Sequence, residues 1–368
     1  MEKIPIVFAV NNDYIKQLSV AIISILLNTT KDLKFEFFIL NRDISKENKE
    51  KLSELKKFNN NSEFNFIDMK IYTEKFDLRK FMSIRQDYTY ISIETYYRFF
   101  IPEILSNYNK VIYLDADLIL KDDISVLYST DIEEYYAGVV HDVVVEDMLK
   151  RQAHKLAQYE DLSIKDYFKN KLKISNPECY FNAGVLVLNL DKIRQDNIVN
   201  ELWNFVASES PLEYQDQDAL NAIIGKNVKY LENKWNIVKI KSAYYKNTDK
   251  KIRKKLKSDY KNPSIFHFIG SDKPWCVKVD KSYKYSNIKQ WWNYYQMSPF
   301  YEKQDIEVLK NIIWQQKFYP RYSIISLEIF NFKIFSMYIE QHRFYIYIFG
   351  YIKFRFKLKS FKYKKSIA

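Results

Sequence analysis

YLDADLIL, residues 113–120, sets two aspartates one residue apart between apolar flanks. The run VIYL that leads into it has the composition of a buried strand, and carboxylates at the end of such a strand are desolvated unless they are paired or coordinate a cation. Read as a single strand over 111–120, the segment places Asp115 and Asp117 on one face. Two carboxylates on one face repel unless a cation lies between them. Hard oxygen ligands suit Mn²⁺ or Mg²⁺, and either ion suits a diphosphate. The chain has two Asp-x-Asp pairs, 24 Asp in 368 residues, against about 1.6 expected by chance, so the surrounding strand carries the reading more than the motif does.

Outward from this stretch the pattern alternates. Residues 5–10 (PIVFAV) and 34–40 (KFEFFIL) read as strands, and Ile15 to Asn28 has apolar residues at helical spacing: Ile15, Leu18, Ala21, Ile22 and Ile25. SKENKEKLSELKKF (45–58) reads as a second helix with Leu52 and Leu55 on one face, and NFIDM (65–69) as a third strand. YYAGVVHD (135–142) and FNAGVLVLNL (181–190) add two more strands, each with a glycine where backbone or ligand approaches closely. Strands alternating with helices predict an α/β fold with a mainly parallel sheet. In such sheets ligands collect beyond the carboxyl ends of the strands. No G-x-G-x-x-G follows the first strand and no P-loop motif occurs, so a nucleotide has to be held another way.

With 47% hydrophobic residues the chain can fill one large domain or two smaller ones. Cys179 and Cys276 stand far apart with no C-x-x-C, which excludes a disulfide framework and a structural zinc site and fits a reducing compartment. The apolar stretch in MEKIPIVFAVNNDY is too short for a signal-peptide core and reads as a buried strand. Leu18 to Leu27 is about half the roughly 20 residues of a membrane-spanning helix, so no transmembrane helix is expected. The net charge is +12, and residues 341–368 hold eight Lys or Arg and no Asp or Glu. The lysine-rich stretch Lys246 to Lys261 reads as a solvated loop or helix. Past about Pro320 the chain turns aromatic and basic.

Three further stretches carry candidate chemistry. Asp216 and Asp218 lie in EYQDQDALNAI (213–223), where they read first as N-cap and first-turn acids of a helix; Gln217 between them has no such role. His267, one of four histidines, is set in SIFHFIGSDKPW (264–275), where it is either a core histidine or the completing ligand of a metal. Lys273, close to Gly270, is placed to meet a phosphate.

Taken in order, IVFAVNNDY, ISIETYYRFFIPEIL, KVIYLDADLILKDDISVLY, CYFNAGVLVLNL, YQDQDALN and HFIGSDKPW resemble glycosyltransferase family 8, retaining enzymes that include bacterial lipopolysaccharide galactosyl- and glucosyltransferases and glycogenin. The resemblance covers residues 4 to about 300. It implies a GT-A type nucleotide-diphospho-sugar transferase fold over 1–300, followed by a basic, aromatic segment over 301–368. It implies that Asp115, Asp117 and His267 ligate Mn²⁺, with Mg²⁺ as the other hard ion, and that Asn11, Asn12, Asp13 and Tyr14 form the uridine-binding loop. Asn11 stands where related galactosyltransferases carry Asp, and Asp13 where they carry Asn. Arg98 matches a basic donor-site residue and Ala116 lies between the two acids. Asp142, Asn182 and Asp216 match positions around the transferred sugar, Gln217 a residue against its face, and Gly270, Ser271 and Lys273 a loop that closes on the diphosphate.

The chemistry gives these implied roles a reason. Breaking the anomeric bond of a UDP-sugar develops an oxocarbenium-like sugar and a more negative leaving group, which Mn²⁺, Lys273 and Arg98 would stabilise. A neutral Gln217 is a poor nucleophile, so same-face attack guided by the departing phosphate is favoured, with Gln217 and Asp216 stabilising the positive sugar; a covalent intermediate on Asp216 is the alternative.

Residues 344–364 read FYIYIFGYIKFRFKLKSFKYK, with strict apolar and basic alternation from Ile352 to Lys359. Period two predicts an extended strand. It can be an edge hairpin or a nucleic-acid contact, but attachment to an anionic membrane leaflet is the favoured reading and no nucleic-acid partner is expected. The expected whole is a transferase moving galactose or glucose from UDP to a lipid-linked lipooligosaccharide or lipopolysaccharide acceptor at the inner face of the bacterial cytoplasmic membrane. A different acceptor (capsule, glycolipid or protein) and a catalytically silent binding protein are the alternatives.

Overall fold

The computed structural model describes residues 3–29, 33–74, 78–81, 92–150, 156, 162–238, 250–270, 273–276, 285–302, 304–305, 322–329, 332–340, 343–348 and 351–357. Its first compact unit takes in Met1–Pro274 and Ser282–Tyr301. Strand β1 (Lys3–Ala9) leads through a short turn into helix α1 (Ile15–Asn28), then β2 (Lys34–Asn41), α2 (Lys46–Ser53), β3 (Glu63–Asp68) and β4 (Lys110–Leu114). After β5 (Leu118–Leu120) come β6 (Ala137–His141), β7 (Phe181–Asn189), α3 (Asp216–Ile224), β8 (Val228–Tyr230), β9 (Ile237–Val238), α4 (Lys250–Lys261) and β10 (Ile265–His267).

Seven strands form one sheet in the order β3-β2-β1-β4-β7-β6-β8. The pairs β1–β2, β2–β3, β1–β4 and β6–β8 are parallel, while β7 runs antiparallel to both β4 and β6. The sheet is therefore mixed and mainly parallel, as the alternation of elements predicts. Residues Ile4 to Phe8 of β1 are all buried, which is what a central strand covered on both faces requires. Helix α1 is buried along most of its length, and its buried serines are used. Ser24 Oγ donates to Ala21 O at 2.7 Å and accepts from Leu120 N at 2.8 Å, tying α1 to β5. At the start of α2, Ser45 accepts from Asn48 N at 3.2 Å, an N-cap that sets where the helix begins.

One expectation is corrected. VIYLDADLIL is not a single strand: β4 belongs to the large sheet, whereas β5 belongs to a three-stranded sheet of order β5-β10-β9. Asp115–Asp117 are the link between the sheets. The lysine-rich stretch is helical over Lys250–Lys261, with Leu256 buried against Val143 and Val238; residues 246–249 lie outside the described residues. Among the described residues no helix is long and apolar enough to cross a membrane.

A second compact unit comprises Trp275–Lys281 and Glu302–Ala368. Its strands β11 (Tyr322–Ile329), β12 (Phe332–Glu340), β13 (Arg343–Ile348) and β14 (Tyr351–Lys357) form an antiparallel meander. The alternating tail is thus extended from Ile352 to Lys357, and Leu358 and Lys359 lie outside the described residues.

Candidate active site

The link between the sheets is held on both sides. Asp115 N donates to Gly184 O of β7, and Phe268 N donates to Asp117 O, each at 2.8 Å. Antiparallel pairing sets His267 of β10 opposite Leu118 of β5, so the imidazole meets both acids. His267 Nε2 lies 2.9 Å from Asp117 Oδ1 and 3.7 Å from Asp115 Oδ2. One ligand atom from each of the three residues lies within 4.8 Å of the others. Gly184 leaves them room, since a Cβ on it would stand 2.3 Å from His267 Cε1 and 2.7 Å from Asp115 Oδ2.

Cations surround this cluster. Arg98, buried, stands 3.2 Å from Asp115 Oδ1 and 3.0 Å from Asp216 Oδ2. Its guanidinium also lies 4.2 Å over the Tyr113 ring, whose hydroxyl donates to Asp115 Oδ1 at 3.0 Å. Lys273 is buried and its ammonium donates to Asp117 Oδ2 and to Phe268 O. Although burial opposes it, Lys273 and the neighbouring His267 hold the Asp117 carboxyl well below the usual carboxylate range. An ionised carboxylate is the form a cation binds. Two carboxylates and an imidazole converging within 4.8 Å, beside a glycine that leaves them room, fit a divalent ion.

A second network faces the same cavity. Asp142 Oδ1 accepts from Val144 N at 2.9 Å and Val145 N at 3.0 Å, and its Oδ2 accepts from Asn182 Nδ2 at 3.2 Å and Gln217 Nε2 at 3.1 Å. Gln217 Oε1 in turn accepts from Ala183 N at 3.0 Å and Asn182 Nδ2 at 3.2 Å. The Gln217 amide is therefore held in one orientation. Asp216 is buried between Arg98 and the Thr95 hydroxyl, which donates to it; burial pushes its carboxyl up to about 6 while Arg98 opposes the shift.

The helix-start reading of Asp216 and Asp218 needs one change. Both lie in the first turn of α3, and the N-cap position belongs to Gln215, whose φ of 51° is in the left-handed region. Asp218 points away from the cavity: Oδ2 accepts from Tyr167 OH and Tyr214 N, each at 2.7 Å, and Oδ1 from Tyr180 OH at 2.6 Å.

The cavity holds about 650 Å³ and is lined by Asn11, Tyr14, Arg98, Asp115, Ala116, Asp117, Asp142, Asn182, Asp216, Gln217, His267, Gly270 and Lys273, a size typical of small-molecule sites. Asn12 is turned away, its Oδ1 accepting from Ser45 N and Asn48 Nδ2, and Asp13 is exposed and outside the lining. Gly270 adopts φ +77°, a conformation open to glycine. Ser271 lies outside the described residues.

Residues 5–278 match the sequence model of glycosyl transferase family 8. The chain belongs to this family. As a family 8 glycosyl transferase it uses a nucleotide-sugar donor. Over 322 residues, covering 84% of this chain and 86% of the relative, it is 26% identical to a lipopolysaccharide 1,2-glucosyltransferase of Escherichia coli. It is also 26% identical over 298 residues to general stress protein A of Bacillus subtilis, with coverage of 78% and 94%. The crystal structure of galactosyltransferase LgtC in complex with donor and acceptor sugar analogs superposes with a TM-score of 0.64 at 23% identity, covering 83% of this chain and all of that one. The family 8 enzyme thus has the GT-A type α/β fold expected from its sequence.

Sequence reasoning passed over Thr95, Tyr113 and Asn236. Thr95 stands three residues before Arg98 in a stretch already singled out, and Tyr113 opens the quoted stretch itself. Asn236, in KWNIV, is buried and carries no motif; only its contact with His267 reveals it.

Proposed function

We propose that the chain is a retaining hexosyltransferase that moves galactose or glucose from UDP onto the core of a lipooligosaccharide or lipopolysaccharide, with Mn²⁺ held by Asp115, Asp117 and His267. The observation that carries the reading is the convergence of one ligand atom from each of those three side chains within 4.8 Å in a cavity also lined by Asp142, Asn182 and Gln217. The similarity to the Escherichia coli glucosyltransferase supports the acceptor class.

A bound divalent cation would offset the negative charge that develops on the UDP leaving group. Arg98 and Lys273 lie on the same side and add fixed positive charge in a buried setting, where it acts most strongly. Gln217 is neutral and anchored through both ends of its amide, and Asp216 is engaged by Arg98 and Thr95. A neutral amide is a poor nucleophile, and the ion pair with Arg98 weakens Asp216 as one. This arrangement favours same-face displacement: the bond from the anomeric carbon to the phosphate oxygen breaks, the acceptor oxygen bonds to that carbon, and the acceptor proton passes to the departing phosphate. Configuration is then retained.

Residues 341–368, with eight basic and no acidic side chains, would hold the enzyme to the anionic inner leaflet where a lipid-linked acceptor is met. Replacing Lys353, Arg355 and Lys357 by Gln is expected to lower recovery with anionic vesicles and to leave turnover of soluble acceptors unchanged; loss of soluble turnover would refute this division of labour.

The deciding experiment follows UDP release from UDP-galactose, UDP-glucose and UDP-N-acetylhexosamines with a rough-type lipid acceptor, in Mn²⁺ and in chelator. Metal-dependent turnover of one hexose donor is expected, and it should vanish in Asp115→Ala and Asp117→Ala. Silence with every donor would overturn the proposal.

A further inference from the structure

Glu94 lines the cavity and is only 8% exposed. Its Oε2 is shielded from solvent and has no hydrogen-bond partner among the described residues. A carboxylate oxygen in that state is costly to bury, so the position calls for a donor from a ligand. Asn11 lines the same cavity, and its Oδ1 is likewise shielded and without a hydrogen-bond partner among the described residues.

The sheet order tells which part of a ligand these atoms face. The metal-ligand cluster lies beyond β4, and Asp142 and Asn182 belong to β6 and β7 and their ends, on one side of it. β1 and β2 lie on the other side, each strand displaced by about 4.8 Å from the next. Asn11 follows β1. Glu94 shares with Asp43 and Asp68, at the ends of β2 and β3, the surroundings of the Tyr97 hydroxyl, which burial and these acids push upward against Arg42. A donor whose diphosphate lies at Asp115 and Asp117, with its sugar against Asp142, Asn182 and Gln217, therefore directs its nucleoside to Glu94 and Asn11.

We infer that Glu94 is a nucleoside-contacting residue whose carboxylate accepts a hydrogen bond from the uridine of the donor, either from a ribose hydroxyl or from the N3–H of the base. The inference rests on the UDP-sugar reading above and adds to it the residue that selects the nucleoside.

The test titrates UDP, 2′-deoxy-UDP and 3-methyl-UDP into the full chain with Mn²⁺, for wild type, Glu94→Ala and Glu94→Gln. UDP is expected to bind about tenfold or more weakly to Glu94→Ala, with a smaller loss for Glu94→Gln. In wild type one analogue should lose a similar factor, and in Glu94→Ala that discrimination should disappear, as a double-mutant cycle requires of a direct contact. Loss confined to 2′-deoxy-UDP assigns the ribose, and loss confined to 3-methyl-UDP assigns the base. If Glu94→Ala fails to fold, the near-isosteric Glu94→Gln decides. Wild-type affinity and undiminished analogue discrimination in the variants would overturn the inference alone, whereas failure of wild type to bind UDP would overturn the donor reading and the inference with it.

Discussion

Asn236 Oδ1 lies 3.0 Å from His267 Nδ1, while Asn236 Nδ2 donates to Asn182 Oδ1 at 2.8 Å. Asn182 Oδ1 also accepts from Gly184 N at 3.0 Å, so the Asn236 amide is oriented with its oxygen toward the imidazole. With Nδ1–H donated to Asn236, the Nε2 atom of His267 would be left to ligate a cation held by the two aspartates. An outer partner of this kind fixes the tautomer of a ligating histidine. Asn236→Ala is expected to weaken Mn²⁺ binding by about 10- to 100-fold in calorimetric titration. Unchanged affinity would show that the contact does not orient the ligand.

Gly184 tests the shape of the same cluster. A methyl group there meets the imidazole and a carboxylate at distances no real contact adopts, 2.3 and 2.7 Å. Gly184→Ala should therefore abolish metal binding, while β7, which keeps its ladder hydrogen bonds, retains its fold. A variant with wild-type Mn²⁺ affinity would mean that the cluster relaxes without loss.

Arg98 is the counter-charge of two acids, Asp216 and Asp115. Removing one partner of a buried pair leaves an uncompensated charge and costs about 3–5 kcal/mol. Arg98→Met is expected to lose stability on that scale in urea denaturation, and Arg98→Met combined with Asp216→Asn to recover part of it. A loss under about 1 kcal/mol, the scale of exposed pairs, would contradict the buried pairing.

Asp218 supplies a pH test away from the metal cluster. Burial pushes its carboxyl from 3.8 up to about 7, against hydrogen bonds from Tyr180, the Tyr214 amide and Tyr167. A carboxyl raised in the folded state contributes stability that is present below about pH 4 and lost as the pH rises toward 7. In Asp218→Asn the amide can donate to Tyr180 and accept from Tyr214, so that dependence disappears. The melting temperature of the variant relative to wild type should rise by several degrees between pH 4 and pH 7. A constant difference would place the titration elsewhere.

The sequence by itself determined the local elements and the kind of chemistry. Buried strands such as β1 read as unbroken apolar runs, α1 as a 3.6-residue period, and Asp115, Asp117 and His267 as ligand types suited to a hard cation. What only the tertiary structure decided lies in contacts across long separations: His267 reaches Asp117 across 150 residues and Thr95 reaches Asp216 across 121. The break of VIYLDADLIL into two strands of different sheets belongs to the same class, because period and composition constrain neighbours along the chain, whereas the strand to which Leu118 pairs is chosen by β10, far along it. Asn236 and Glu94 were invisible for the same reason. An asparagine or a glutamate has no local signature until the fold shows that its amide orients an imidazole or that its carboxylate oxygen is buried without a partner.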